Sequence, residues 1–229
     1  MTLTGPNPYG GSTTVEAGTL QVDGNISTSP ITVLGGTLSG IGSLGGTVDI
    51  QPGGILSPGA SIGQLTMTSS LTLQSGSTNV MELNKSLAAN DSIVGLGSVS
   101  YAGTLVVTNL AGTLAQHDTF TLFVAAPGNY FGAFDTLDLP TLGTGLAWDT
   151  SGLLVDGTIK VVGPTLNFVN NGTSLDFSWT GTFKLQAQTN SLNVGIANNW
   201  ADYPGGGSSP VNAPVNPANP AVFFRLRTP

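Results

Sequence analysis

A short phrase, glycine followed by threonine or isoleucine and then leucine, recurs at a constant interval near the start of the chain. It occupies residues 18–20, 36–38 and 54–56. A short fixed period built from strand-forming residues and glycine is typical of solenoids, in which each repeat adds one coil and contacts only its neighbours. The repeat therefore predicts stacked coils with long exposed flanks and little room for a buried catalytic pocket.

Downstream of the repeats the β-prone segments continue but change in character. Turn-forming glycine pairs separate short segments over residues 1–62, whereas the segments over 63–163 are longer and more apolar. The segment at 119–124 is predicted as one of these longer strands. We interpret residues 1–163 as one domain, a short right-handed parallel β-solenoid that widens into longer strands.

A second domain is predicted after Gly163-Pro164, because glycine and proline together interrupt a strand. The Asn171-Gly172 pair predicts a hairpin turn, since Asn-Gly suits the left-handed conformations of tight turns. A loop rich in glycine, serine and proline is expected over residues 204–220, followed by a last strand at 222–226. Residues 164–229 are interpreted as a small antiparallel β-sandwich of the fibronectin type III kind, so the whole chain is predicted to be all-β.

Charge excludes several classes of function. Charged residues make up 7% of the chain, the net charge is −7, and residues 1–84 contain no Lys, Arg or His. Nucleic-acid binding needs a basic patch to neutralise phosphates, so no nucleic-acid partner is expected. No apolar run approaches the roughly 20 residues of a membrane-spanning helix.

The absence of cysteine and the weakly charged, threonine-rich and asparagine-rich composition favour a secreted or cell-surface protein. The N-terminus has neither the basic segment nor the apolar segment of a signal peptide. If the protein is secreted, the sequence is therefore expected to be a mature portion or a piece of a longer precursor.

Candidate catalytic groups are sparse. His117 is the only histidine, and its neighbour Asp118 would point to the opposite face of a strand, which does not suit a catalytic pair. The possible carboxylate pairs lie in loop-like sequence, where aspartate commonly caps turns; they are Asp135 with Asp138 and Asp149 with Asp156. We expect no catalytic residue, no metal site and no cofactor, and hence not an enzyme.

Four Asn-X-Ser/Thr sequences are weak candidates for glycosylation, because this composition produces several by chance. They begin at Asn25, Asn84, Asn90 and Asn171.

The two ends of the chain carry short apolar segments that are candidates for assembly. The residues concerned are Leu3 at the N-terminal end and Val222, Phe223, Phe224 and Leu226 at the C-terminal end. Each segment can pair within its own chain or add to a neighbouring molecule, and addition that does not close on itself produces a filament.

Three motifs resemble the autotransporter-associated β-strand repeat and the segments that follow it. The first is the run from Leu3 to Val22, with Leu-Thr-Gly, a tyrosine and Gly-Thr-Leu in the order of the repeat; the second is Pro-Gly-Ala-Ser-Ile-Gly-Gln-Leu at 58–65; the third is Leu-Ala-Trp-Asp-Thr-Ser at 146–151. The tail from 183 resembles a C-terminal domain of large secreted proteins of Verrucomicrobia-type bacteria. These resemblances imply a secreted or surface β-solenoid stalk and bring no catalytic residue with them.

The sequence thus predicts an extracellular structural protein, the repeating subunit of a bacterial surface fibre or layer, whose main partner is a copy of itself. An alternative is a carbohydrate-binding or adhesive module for surface glycans, with stacking platforms among Trp148, Trp179, Trp200 and Tyr203. A role in the core is favoured over stacking for these aromatic residues, because the chain has few large side chains to fill its interior. A polysaccharide-degrading enzyme dependent on Asp135 or Asp149 is the least favoured hypothesis.

Overall fold

The computed structural model describes residues 1–179 and 183–227. They form two compact units, the first comprising Met1–Thr141 with Trp148–Val161 and the second Leu142–Ala147 with Val162–Pro229. Apart from the 3₁₀ helices Lys85–Leu87 and Ser151–Leu154, all of the regular structure described is β-strand. No helix in the described ranges is long and apolar enough to cross a membrane.

The first unit is built from short strands, which are, in chain order, β1 (Thr2–Leu3), β2 (Pro6–Asn7), β3 (Thr13–Val15), β4 (Thr19–Val22), β5 (Asn25–Ile26), β6 (Ile31–Val33), β7 (Thr37–Gly40), β8 (Ser43–Leu44), β9 (Val48–Ile50), β10 (Ile55–Pro58), β11 (Gln64–Met67), β12 (Ser70–Leu73), β13 (Thr78–Asn84), β14 (Ala89–Asn90), β15 (Ser92–Leu96), β16 (Ser98–Tyr101), β17 (Thr104–Asn109), β18 (Thr119–Thr121), β19 (Phe123–Ala125), β20 (Tyr130–Gly132), β21 (Thr136–Asp138), β22 (Ala147–Asp149) and β23 (Thr158–Val162).

Three parallel sheets run through this unit; each complete coil contributes one strand to each sheet, and β21 adds a further strand to the first sheet. The strand orders are β1-β4-β7-β10-β13-β17-β21, β2-β5-β8-β11-β15-β19 and β3-β6-β9-β12-β16-β20. The early coils are in strict register, with Leu20 beside Leu38 and Leu38 beside Leu56. The predicted parallel β-solenoid is thereby confirmed.

The coils lengthen downstream, as predicted. In the first sheet Thr37 pairs with Ile55, and Ile55 pairs in turn with Thr78. Thr78 then pairs with Thr104, and Thr104 with Thr136, so each of these coils uses more of the chain than the one before it. The added length includes β14, which pairs antiparallel with β13, and β18, and both of these strands lie outside the three parallel ladders.

The solenoid core consists of aliphatic ladders. Alternate residues of each strand point inward, because successive side chains of a strand face opposite sides. In the third sheet Val15, Val33, Ile50 and Leu73 are neighbours from coil to coil, and all four are buried. Such ladders of like residues stabilise each coil through the coils beside it.

The segment predicted as one strand at 119–124 is two strands, so that prediction is wrong. β18 pairs antiparallel with β23, whereas β19 pairs parallel with β15 in the solenoid wall. The chain changes sheet at Leu122, which is fully buried. An unbroken apolar alternation does not reveal such a change of sheet, because both strands bury alternate residues.

The second unit contains two three-stranded antiparallel sheets, formed by β24 (Asn167–Asn170), β25 (Ser174–Ser178), β26 (Lys184–Thr189), β27 (Ala201–Asp202), β28 (Val211–Pro214) and β29 (Val222–Arg227). The strand orders are β24-β25-β28 and β27-β26-β29. One core draws from both sheets and contains Phe177, Trp179, Phe183, Leu185, Val211 and Ala213. The predicted hairpin occurs, since Asn171 N–H donates to Ser174 O across 2.9 Å between β24 and β25.

The loop predicted over 204–220 contains a strand, so that prediction is wrong in its middle. Residues 211–214 form β28, which pairs with β25 and buries Val211 and Ala213. Pro214 is tolerated because it lies at the end of an edge strand. The alternation of Val211 and Ala213 with polar or proline neighbours was the available signal, hidden by the surrounding glycine and proline.

Candidate functional site

The first coil of the solenoid is an unpaired end. Strands β1, β2 and β3 each lie at the end of their sheet and pair on one side only, with β4, β5 and β6 respectively. Within the described residues no strand pairs with their other edges. Three parallel ladders thus terminate together at one end of this unit.

A shallow hollow of about 460 Å³ lies at this end. Its apolar lining includes Val15 and Leu20, and Glu16 contributes a carboxylate. Met1 also lines the hollow, although its side chain is 80% exposed. Val15 and Leu20 are themselves almost fully buried, so the free strand edges are the main exposed feature of this end.

A column of glycines runs through the first three coils at Gly5, Gly24 and Gly42. A methyl group on Gly42 would overlap the carbonyl oxygen of Gly24, and one on Gly24 would overlap that of Gly5. A methyl group on Gly5 meets nothing within 4 Å, because no coil lies beyond it in the structure. Gly24 and Gly42 are therefore needed for the close approach of successive coils, a role that their turn-like sequence did not reveal.

The C-terminal candidate strand lies inside its own unit. All six residues of β29 pair with β26, from Val222 beside Thr189 to Arg227 beside Lys184. Phe224 and Leu226 pack against the sandwich core, and Phe224 contacts Phe177 with ring centroids 4.4 Å apart. Leu3, in contrast, lies in β1 at the unpaired end of the solenoid.

Of the four candidate catalytic carboxylates, Asp149 and Asp156 cap turns, Asp135 bonds to distant segments of the chain, and Asp138 is exposed. Asp135 accepts hydrogen bonds from Ser75 Oγ at 2.7 Å and Gly103 N–H at 2.9 Å. Asp149 and Asp156 each accept from a hydroxyl and a backbone N–H two residues ahead. The Ser151 hydroxyl and N–H lower the pKa of Asp149. Asp138 lies exposed on β21.

His117 lies in a turn with φ of 76°, and its backbone N–H donates to Val161 O. The carboxylate of Asp118 pairs with Lys85 and accepts from Ala115 N–H. Desolvation is the largest single influence on the pKa of Asp118 and acts to raise it, but the Lys85 ammonium and the Ala115 N–H together lower it. Within the described residues, no three His, Cys, Asp or Glu side chains group into a potential metal site.

The candidate glycosylation residues differ in how their amide nitrogens are used. Asn90 Nδ2 donates to Asp91 O and Thr121 O, and Asn171 Nδ2 donates to Asp176. The side chain of Asn84 caps a 3₁₀ helix through its oxygen, accepting from Leu87 N–H. Asn25 is exposed on β5. Their glycosylation stays a prediction.

The candidate stacking aromatics are placed in three ways. Trp179 is buried in the sandwich core, and Trp148 is half-buried, donating its Nε1–H to Pro140 O at 2.9 Å. Trp200 is half-buried beneath the Arg225 guanidinium, which lies 4.3 Å from its ring centroid. Tyr203 packs on Phe224 beside an opening between the two sheets of the sandwich.

Comparison with known proteins finds a family match that includes the three strands of the unpaired end. Residues 1–22, which include the whole first coil, match the family described as Passenger-associated-transport-repeat. The chain contains an autotransporter-associated repeat. A 61-residue stretch is 49% identical to the Adhesin BmaC autotransporter of Brucella suis biovar 1 (strain 1330), covering 25% of this chain and 2% of that protein. The resemblance of the tail to Verrucomicrobia-type domains stays a prediction.

The described part of the solenoid also contains a buried carboxyl group that the sequence analysis did not identify as a candidate. Asp91, at the end of the β13–β14 hairpin, is fully buried and accepts from Gly63 N–H and Glu82 N–H, both at 2.7 Å. Burial raises its pKa to about 6, assisted by the nearby Glu82 carboxylate and opposed by the two backbone hydrogen bonds. Asp91 therefore ties the hairpin to the loop before β11.

Proposed function

We propose that this chain is a non-enzymatic structural protein outside the bacterial cell, the subunit of a surface fibre or layer. Subunits add head to tail at the first coil of the solenoid. The observation that carries this proposal is the simultaneous end of three parallel ladders at β1, β2 and β3. The passenger repeat at 1–22 and the similarity to a protein named an adhesin autotransporter support a surface location.

The edges of the first coil have little protection against strand addition. Natural sheets usually protect an edge with charged side chains, proline or a bulge. Residues 1–15 contain no charged side chain. Pro6 removes one donor from β2, whereas β1 and β3 contain no proline. β1 and β3 are therefore the edges best suited to receive a parallel strand from the next subunit.

The C-terminal strand is a poor donor for exchange. Transfer of β29 to another molecule would break its pairing with β26 and remove Phe224 and Leu226 from their core contacts. Exposing such side chains costs about 1.5–3 kcal/mol each. Assembly at the first coil requires no such rearrangement, because its outer edges are already unpaired.

Gly5→Ala tests this proposal without disturbing the isolated molecule. The methyl group meets nothing within 4 Å in the subunit. If another coil stacks on the first in the geometry seen between Gly24 and Gly5, the same methyl group overlaps a carbonyl oxygen. We expect wild-type protein to form filaments in negative-stain images and Gly5→Ala to remain monomeric by light scattering, with an unchanged melting temperature.

Gly207→Ala is the matched control, since a methyl group there also meets nothing within 4 Å but lies in the sandwich. It is expected to assemble like the wild type. Wild-type protein that stays monomeric at high concentration, or Gly5→Ala protein that forms the same filaments, contradicts assembly at the first coil.

A second candidate function is an adhesive module that binds surface glycans. It is favoured by the name of the similar adhesin and by Trp200, which is half-buried and held by Arg225. A glycan array with the purified chain tests it. Absence of any specific binding across neutral and acidic glycans would contradict this second function and leave the assembly proposal intact.

A further inference from the structure

The sandwich unit contains an open cavity of about 390 Å³ between its two sheets. Ala187 on β26 and Ala213 on β28 both line the space, and their small side chains leave it open between the larger Leu175 and Phe224. The volume is within the range of pockets that hold small ligands, roughly 300–1,000 Å³. This unit therefore leaves part of the space between its sheets unfilled.

The lining combines an apolar floor with a polar rim. Phe224 and Leu175 are only half-buried although they pack against the core, because they border this space. Thr189, Asn216 and Asn219 stand at the rim, and Tyr203 adds an aromatic ring and a hydroxyl. Among the described residues, none with a charged side chain lines the cavity.

The polar groups at the rim are available to a ligand. The hydroxyls of Thr189 and Tyr203 and the side-chain amide of Asn219 make no hydrogen bond within the described part of the chain. Asn216 uses its oxygen to accept from Ala218 N–H at 3.0 Å, which fixes the amide and leaves Nδ2 free. Asn219 N–H donates to Asn216 O, so the two amides are held on one short turn.

We propose that this cavity is a binding site for one neutral sugar ring, a pyranose without a carboxylate, sulfate or phosphate. A pyranose has an apolar face of C–H groups, which suits the Tyr203 and Phe224 side, and an equatorial rim of hydroxyls, which suits the free amides and hydroxyls. Because the described lining residues include no cationic side chain, a neutral sugar suits the cavity better than an acidic one, since a desolvated anion needs a paired charge. The inference rests on the second candidate function, adhesion to glycans, and locates its site; it is independent of filament assembly.

Ala187→Leu tests the site by filling the cavity. The larger side chain occupies the space that the sugar needs and buries additional apolar surface, so the unit is expected to be at least as stable as the wild type. Ala201→Leu, an exposed change on the neighbouring strand β27, is the matched control. Asn219→Ala is a second variant. The substitution removes an amide at the rim that could bond to the sugar, and the core is not altered because residue 219 is exposed.

The measurement is ligand-observed NMR and calorimetry with methyl glucoside, methyl galactoside and N-acetylglucosamine, with glucuronic acid as the charged comparison. We expect a dissociation constant on the order of millimolar for at least one neutral sugar, because so small a ligand has few contacting atoms. Binding should be lost in Ala187→Leu, weakened about tenfold in Asn219→Ala and unchanged in Ala201→Leu. Glucuronic acid should not bind.

Three outcomes would overturn the inference. One is the absence of binding by every neutral sugar, and another is equal binding to Ala187→Leu. The third is binding of a hydrophobic dye to the cavity without any sugar, which would indicate an apolar peptide side chain as the occupant. Glycan binding on the array that survives Ala187→Leu would retain the adhesive function and move its site to Trp200.

Discussion

The solenoid and the sandwich bury their apolar side chains in different ways. The solenoid repeats small aliphatic ladders from coil to coil, so each buried residue is supported by a like residue above and below. The sandwich relies on one mixed cluster around Phe177, Trp179 and Leu185. We therefore expect a core substitution in the solenoid to destabilise mainly the neighbouring coils, whereas a core substitution in the sandwich should destabilise the whole unit.

Removal of one large core side chain tests this difference most strongly. Phe177→Ala is expected to cost about 3–5 kcal/mol, which is a large share of the stability of so small a unit. Leu44→Ala, at a fully buried site in the solenoid, should cost about 2–5 kcal/mol and be carried by a larger unit. Calorimetry should show the sandwich transition abolished in the first variant and the solenoid transition lowered by roughly 10 °C in the second.

The two variants also control for each other. If the units are energetically separate, each substitution leaves the other transition in place. A single transition that shifts equally in both variants would show that the two units unfold together, which would contradict the expected difference in their response to core substitution.

Glycine substitution is the next largest effect, and it separates backbone packing from side-chain packing. Gly42→Ala places a methyl group onto the carbonyl of Gly24 in the preceding coil, which should force the coils apart at a cost of about 3 kcal/mol. Gly207→Ala in the sandwich meets nothing and should change stability by less than about 0.5 kcal/mol. Urea denaturation of both variants measures the contrast, and equal midpoints would contradict close coil packing at Gly42.

The repeat was predictable from the sequence because the constant spacing between its copies sets the register in which the strands of successive coils pair. The constant interval between Leu20, Leu38 and Leu56 becomes a direct pairing of neighbours in one sheet. The change of sheet at Leu122 was not predictable, because it depends on which distant strands accept the two segments. The strand at 211–214 had only a short alternation as its signal, and its pairing with β25 depends on the fold.

The two candidate sites differ in the same way. The position of Leu3 in an outer coil of the described residues could be anticipated, because it lies in the earliest copy of the repeat. The cavity beside Tyr203 could not, because it arises from Ala187 and Ala213, which lie on different sheets and which only the fold brings together. In the sequence each of these alanines is one apolar residue of an alternating strand, and nothing marks it as lining a cavity.

Titration gives the smallest predicted difference between the units, and it has opposite sign in each. Asp91 in the solenoid has a folded-state pKa of about 6 against an ordinary 3.8, so the folded state holds its proton more tightly than the unfolded state. Its contribution is favourable below about pH 4 and is lost as pH rises through 6, at most about 3 kcal/mol. Asp202 in the sandwich is exposed, and its pKa is lowered by hydrogen bonds from Arg227 and Gln186. Its contribution is present above about pH 4 and is lost at lower pH.

Melting curves between pH 4.5 and 7.5 isolate the Asp91 effect, because the stabilisation from Asp202 is almost constant over that range. We expect the solenoid transition to fall with rising pH and the sandwich transition to change little. Asp91→Asn should flatten the solenoid slope while lowering its stability throughout, since an amide cannot accept from both Gly63 N–H and Glu82 N–H through two oxygens. Asp202→Asn should leave the solenoid slope unaltered. A solenoid slope that persists in Asp91→Asn would assign the titration to another group.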